Sequence, residues 1–270
     1  MPEVSIFLVG NTARAEFREA RAKLEALGRV VAAAEMESAS RALAGGEVAP
    51  DVIVVVQAYP GQFSAEAVDR LRRLAPLARV LGLLGSWCEG EPRTGHPWPG
   101  AIRIYWHEWS ARVEREFACL RKGEPSTWAL PITAGEEERL LLAAERPYSQ
   151  REGLIAICSP QFEMHEWLAA ACARRGYRSV WLRPHRTVRV EGATAAIFDG
   201  NECRGEEIEA IERLAGSLDQ VPIIALLDFP RVDDRNRALA AGARAVLSKP
   251  LRIDDLFWKI DQFLARNALC

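Results

Sequence analysis

GARAVLSKPLRIDDLFWKI, residues 242–260, is the stretch that decides the fold. Gly242–Ala243 closes a helix, Val246 and Leu247 make a short apolar strand, and Lys249–Pro250 ends it. An amphipathic helix follows, with Leu256, Ile260 and Phe263 inward and Trp258 left for the outer face. The question for the rest of the chain is how often a buried strand followed by a helix recurs.

It recurs throughout. VSIFLVGNT (4–12) is an apolar run stopped by Gly-Asn-Thr, as a buried parallel strand should be. A helix over 13–28, a strand at RVVAAA and a helix at MESASRALAGG follow. DVIVVVQAYPG (51–61) is the strongest strand, and Ser64 is placed to cap the helix after it. ARVLGLLG and GAIRIYW give two more strands, and a helix over 110–123 closes the set. Residues 86–100 depart from the pattern, because three prolines and three glycines predict an irregular loop in place of a helix. A segment with one helix (136–146) follows, and its Leu140, Leu141 and Leu142 call for a surface to bury against. The alternation then restarts at GLIAICSPQ (153–161). In its first helix Trp167, Leu168 and Ala171 are expected to face the core, and the crossover over 185–192 reads as too short for a good helix. The pattern implies an α/β protein of two tandem, doubly wound, five-stranded parallel-sheet domains: residues 1–122, a linker with one helix over 123–152, and residues 153–270.

The halves read as copies. One offset, 142 residues, sets Asp199 on Gln57, Leu227 on Gly85 and Lys249 on His107. Strand order, the PIIALLD run and GARAVLSKP together resemble the response-regulator receiver family, with a flavodoxin-like fold. The resemblance implies a set of site positions: an acidic pair after the first strand, an aspartate after the third, a hydroxyl after the fourth and a lysine after the fifth. In that family the carboxylates hold magnesium, which shields the aspartate from an incoming phosphoryl group. Here the second half carries Cys158–Ser159, Asp199, Leu227 and Lys249 at those positions. The acidic pair and the hydroxyl are lost, and Val246 replaces the family's switch aromatic. The first half carries Gly10–Asn11, Gln57, Gly85 and His107. Both halves therefore resemble degenerate, or pseudo-receiver, domains. Asp199 and Lys249 are expected to form a structural ion pair. Asp228 is expected to point to the opposite face of its strand.

With 35 basic and 37 acidic residues the net charge is −2, so no global basic field exists to hold nucleic acid. No run is long enough to span a bilayer. Met1 leads into a strand without a charged leader, and the six cysteines form no CxxC pair, so the expectation is a cytoplasmic protein with reduced thiols. The four histidines lack metal-ligand spacing, no catalytic triad appears, and no cofactor motif is present. The basic run RPHRTVRV (183–190) reads as a solvated edge. Eight tryptophans are the main positive feature, and Trp87, Trp98, Trp109 and Trp258 are candidates for an interaction surface. For Trp98 a private mini-core under its own loop is an equal alternative. The leading expectation is a non-catalytic signalling protein that binds a partner, or itself through the fourth helix, fifth strand and fifth helix. The alternatives are a divergent receiver phosphorylated on Asp199, and a small-molecule sensor using the carboxyl-end crevice of a sheet.

Overall fold

The computed structural model describes residues 3–91, 95, 97–131, 133–144, 150–186 and 188–267. The chain divides into two compact units, Met1–Arg146 and Pro147–Cys270. In the first, β1 (Ser5–Val9), β2 (Arg29–Ala33), β3 (Val52–Gln57), β4 (Arg79–Leu84) and β5 (Ile102–Tyr105) form one parallel sheet in the order β2-β1-β3-β4-β5. Its helices are α1 (Ala15–Leu27), α2 (Met36–Ala44), α3 (Ala65–Leu74), α4 (Trp106–Lys122) and α5 (Glu136–Ala144). α1 packs with α4, and α2 with α3. Ser64 caps α3 by accepting from the Ala67 N–H at 3.1 Å. Within the crossover 86–100, residues 86–88 form a 3-10 turn, while 92–94 and 96 lie outside the described residues.

The second unit repeats the plan with β6 (Leu154–Cys158), β7 (Arg178–Leu182), β8 (Ala193–Asp199), β9 (Ile223–Asp228) and β10 (Ala245–Lys249), ordered β10-β9-β8-β6-β7. Its helices are α6 (Phe162–Arg174), α7 (Glu206–Ser217), α8 (Val232–Ala240) and α9 (Ile253–Asn267). The described residues between β7 and β8 form no helix. Both units thus have the flavodoxin-like order in which the first strand sits between the second and third. The β-branched and leucine runs form these strands because both sheet faces are covered, so every position along them can be apolar.

Two expectations about burial are corrected. Trp98 is 4 % exposed and belongs to the core on the α2–α3 face, where its indole N–H donates to the Phe63 carbonyl at 3.1 Å. Gly82 makes the room: a Cβ there would sit 3.2 Å from the Trp98 ring. Trp109 is also buried, because α4 begins at Trp106, four residues earlier than the periodicity implies, and turns Trp109 inward. Neither tryptophan presents a surface. Trp87 does, Trp258 is half-buried, and Trp167 faces outward because Leu168 and Cys172 form the buried stripe of α6.

The segment after α4 packs onto the first unit. Glu116, fully buried, accepts from the Ser126 hydroxyl and the Thr127 N–H, both at 2.8 Å, and Trp128 meets Phe117 edge-on at 5.4 Å. α5 buries Arg139 and Ala143, half-buries Leu142 and leaves Leu140 and Leu141 exposed, so two of its three leucines lie off the face it docks with.

Candidate functional site

Aligning the two sheets by their ladders shifts the internal repeat. β1 falls on β6 at an offset of 149 residues with the same burial pattern, and β5 falls on β10 at 143. The β3–β4 and β8–β9 ladders agree with 143. In the first unit Asp51 and Gln57 accept from β4, whereas in the second Ala196 and Gly200 donate to β9. The 142-residue offset therefore slips by one, and a slip of one turns every side chain to the other face. The first-unit counterparts of Ser159, Asp199, Asp228 and Lys249 are Gly10, Val56, Gly85 and Trp106. Gln57 and His107 lie beside that edge and do not occupy the phospho-site positions.

In the second unit the strand ends converge on one ammonium. Lys249 Nζ lies 2.7 Å from Asp199 Oδ1 and 3.2 Å from Asp228 Oδ1. Asp228 is the ladder partner of Lys249, so both side chains leave the same face, which corrects the expectation that Asp228 points away. The other Asp199 oxygen accepts from the Ser159 hydroxyl at 2.8 Å, and the Ser159 Oγ accepts from the Gln161 N–H at 3.1 Å. Asp199 and Ser159 are buried, whereas Asp228 is half exposed. Leu227 is fully buried on the α7–α8 face and cannot reach this group.

The residues present do not fit magnesium. Two carboxylates remain, and an ammonium already stands between them. Cys158 is buried, and burial together with the nearby Asp199 charge pushes its thiol up to about 12, so it stays protonated and offers no hard oxygen. Among the described residues no group of three or more His, Cys, Asp or Glu could hold a metal ion.

The site has a link to the surface that the sequence did not signal. The Trp181 indole N–H donates to the Ser159 carbonyl at 3.0 Å. On the edge strand β7, Trp181 stacks with His165 at 5.5 Å, meets Phe162 at 5.1 Å and lies under the Arg183 guanidinium at 4.9 Å. Phe162 is about half exposed there, as is Trp167 further along α6, and Phe229 is exposed just beyond Asp228.

In the first unit none of the four equivalent positions, Gly10, Val56, Gly85 and Trp106, carries a carboxylate. A Cβ at Gly10 would meet the Val56 carbonyl at 2.9 Å, which repeats the Ser159–Asp199 neighbourhood without its chemistry. A Cβ at Gly85 would meet Glu16 Oε1 at 2.8 Å, and Glu16 is itself tied to the Ser86 N–H and hydroxyl and to Arg14. On the adjacent face Gln57 donates to Glu91 at 3.2 Å, and Glu91 pairs with Arg103 at 2.7 Å. His107 lies 3.3 Å from Glu89. The 86–91 segment thus seals this edge from within.

No family model matches the chain, and no curated protein is similar to it. Among solved structures, a pilus assembly-related protein from Burkholderia pseudomallei is 23% identical over 45% of this chain and 96% of its own, with a TM-score of 0.39. A Francisella response-regulator receiver domain is 13% identical over 43% and 98%, with a TM-score of 0.38. A two-component system response regulator/GGDEF domain protein is 13% identical over 97% and 98%, also at 0.38.

Proposed function

We propose that the chain is a non-catalytic signalling protein of two receiver-like units that works through phosphorylation-independent association with a protein partner or a second copy of itself. The observation that carries this reading is the closed state of Asp199, with one oxygen held by Lys249 and the other by Ser159. Phosphorylation needs a nearby metal to shield the incoming group, and here an ammonium stands beside both carboxylates while each Asp199 oxygen already has a hydrogen-bonding neighbour. The first unit supports the same reading, since glycine, valine and tryptophan stand at its equivalent positions. Two surfaces suit association. One is the face of α8, β10 and α9, where β10 is an open sheet edge. The other is the aromatic edge of Phe162, His165 and Trp181, with Phe162 about half exposed.

Sedimentation velocity of the full chain, with and without beryllofluoride and magnesium, tests the reading. The same profile is expected in both conditions and in Asp199→Asn. A beryllofluoride-dependent shift that Asp199→Asn abolishes would overturn it. The second reading, a divergent phospho-acceptor, draws support from Asp228, which brings a second carboxylate to Lys249.

A further inference from the structure

A cavity of about 370 Å³ opens at the amino-terminal edge of the first sheet, at the opposite end from the receiver positions. Its walls combine the starts of β4 and β5 (Arg79, Val80, Ile102), the end of α3 (Arg72, Arg73) and the docked segment (Trp128, Leu130, Arg139). Four arginines line it, and a single carboxylate, Asp69, serves Arg72 and Arg73. Arg79 and Arg139 have no carboxylate partner among the described residues. Their contacts are main-chain carbonyls: Arg79 donates to Ala129 at 3.2 Å, and Arg139 to Thr127 and Ala134.

Arg139 is 9 % exposed, and its burial and the Arg79 guanidinium both work against its charge, which the Glu116 and Glu138 carboxylates nearby offset only in part. The net effect still opposes the charge, so two guanidiniums held together around a cavity remain a standing cost that an anion entering it would relieve. Each guanidinium also retains N–H donors beyond those the carbonyls take. The apolar lining, Trp128, Leu130, Ile102, Val80 and Pro76, suits a ligand with a flat or apolar body.

We infer that this cavity binds a small organic phosphate, with the phosphate between Arg79 and Arg139 and the apolar body against Trp128 and Leu130. A dianionic phosphate is favoured over a monocarboxylate, because it can neutralise two guanidiniums at once and accept forked hydrogen bonds from both. The reading does not depend on the state of Asp199, since it concerns the other end of the sheet and the other unit.

Calorimetric titration of the full chain with phenyl phosphate and, separately, inorganic phosphate tests the inference. Phenyl phosphate should bind one site per chain, more tightly than inorganic phosphate, and more weakly as salt rises. Arg79→Gln should weaken it by about tenfold or more. Leu130→Trp fills the cavity without altering charge and should abolish binding, with the thermal unfolding of the free protein retained. Absence of binding to the native chain, or an affinity that neither variant changes, would overturn the site. Equal affinity for the two probes would overturn the assignment of an organic ligand.

Discussion

Lys249 holds two carboxylates of unequal burial, and that inequality predicts how the site responds to substitution. Lys249→Met strands Asp199, which is 4 % exposed, with the Ser159 hydroxyl as its remaining donor, and should lower stability by about 3 kcal/mol in urea unfolding. Asp199→Asn should cost less, because Lys249 keeps Asp228 and some solvent. An equal loss in the two variants would contradict this arrangement. Burial raises the Cys88 and Cys203 thiols to about 11 and the Cys158 and Cys172 thiols to about 12, against an ordinary value of 9.0. The folded chain then keeps protons that the unfolded chain has lost. Stability should be constant below about pH 9 with respect to these groups and fall as pH rises towards 12, with thiol labelling following unfolding. Asp199 and Lys249 could be found from the sequence because each ends an apolar strand. The face of Asp228 is not legible in the sequence, because alternation fixes faces only relative to a known ladder partner, and its partner is Lys249.

At the scale of elements, the strands were legible and their relative register was not. Apolar runs between glycine and proline stops mark the strands, but a run apolar on both faces, as in β3, carries no alternation to say which side chain points where. The 142-residue offset therefore put Gln57 opposite Asp199, while the hydrogen-bond ladder puts Val56 there. The polar plug of Gln57, Glu91 and Arg103 was equally hidden, since residues 86–91 have no periodicity to read. Trp98 shows the same limit: its loop gave no burial signal, yet Gly82 on β4 is shaped to receive it. Trp98→Ala should cost about 3 kcal/mol or more by emptying that space, measured by chemical denaturation. A neutral substitution would mean that the ring is not part of the core.

At the scale of the whole chain, the two units have separate cores, and the first extends past α4. A fragment of residues 1–146 should unfold cooperatively on its own. One ending at residue 122 should be less stable by several kcal/mol, because it loses Trp128 from Phe117 and leaves the buried Glu116 carboxylate without Ser126 and Thr127. Equal melting temperatures for the two fragments would contradict the docked segment. No described helix is long and apolar enough to cross a membrane. If neither unit signals through a phosphoryl group, as proposed, intact-mass spectrometry after incubation with acetyl phosphate and magnesium will find an unchanged mass for the native chain. Gain of one phosphate, lost in Asp199→Asn, would contradict it.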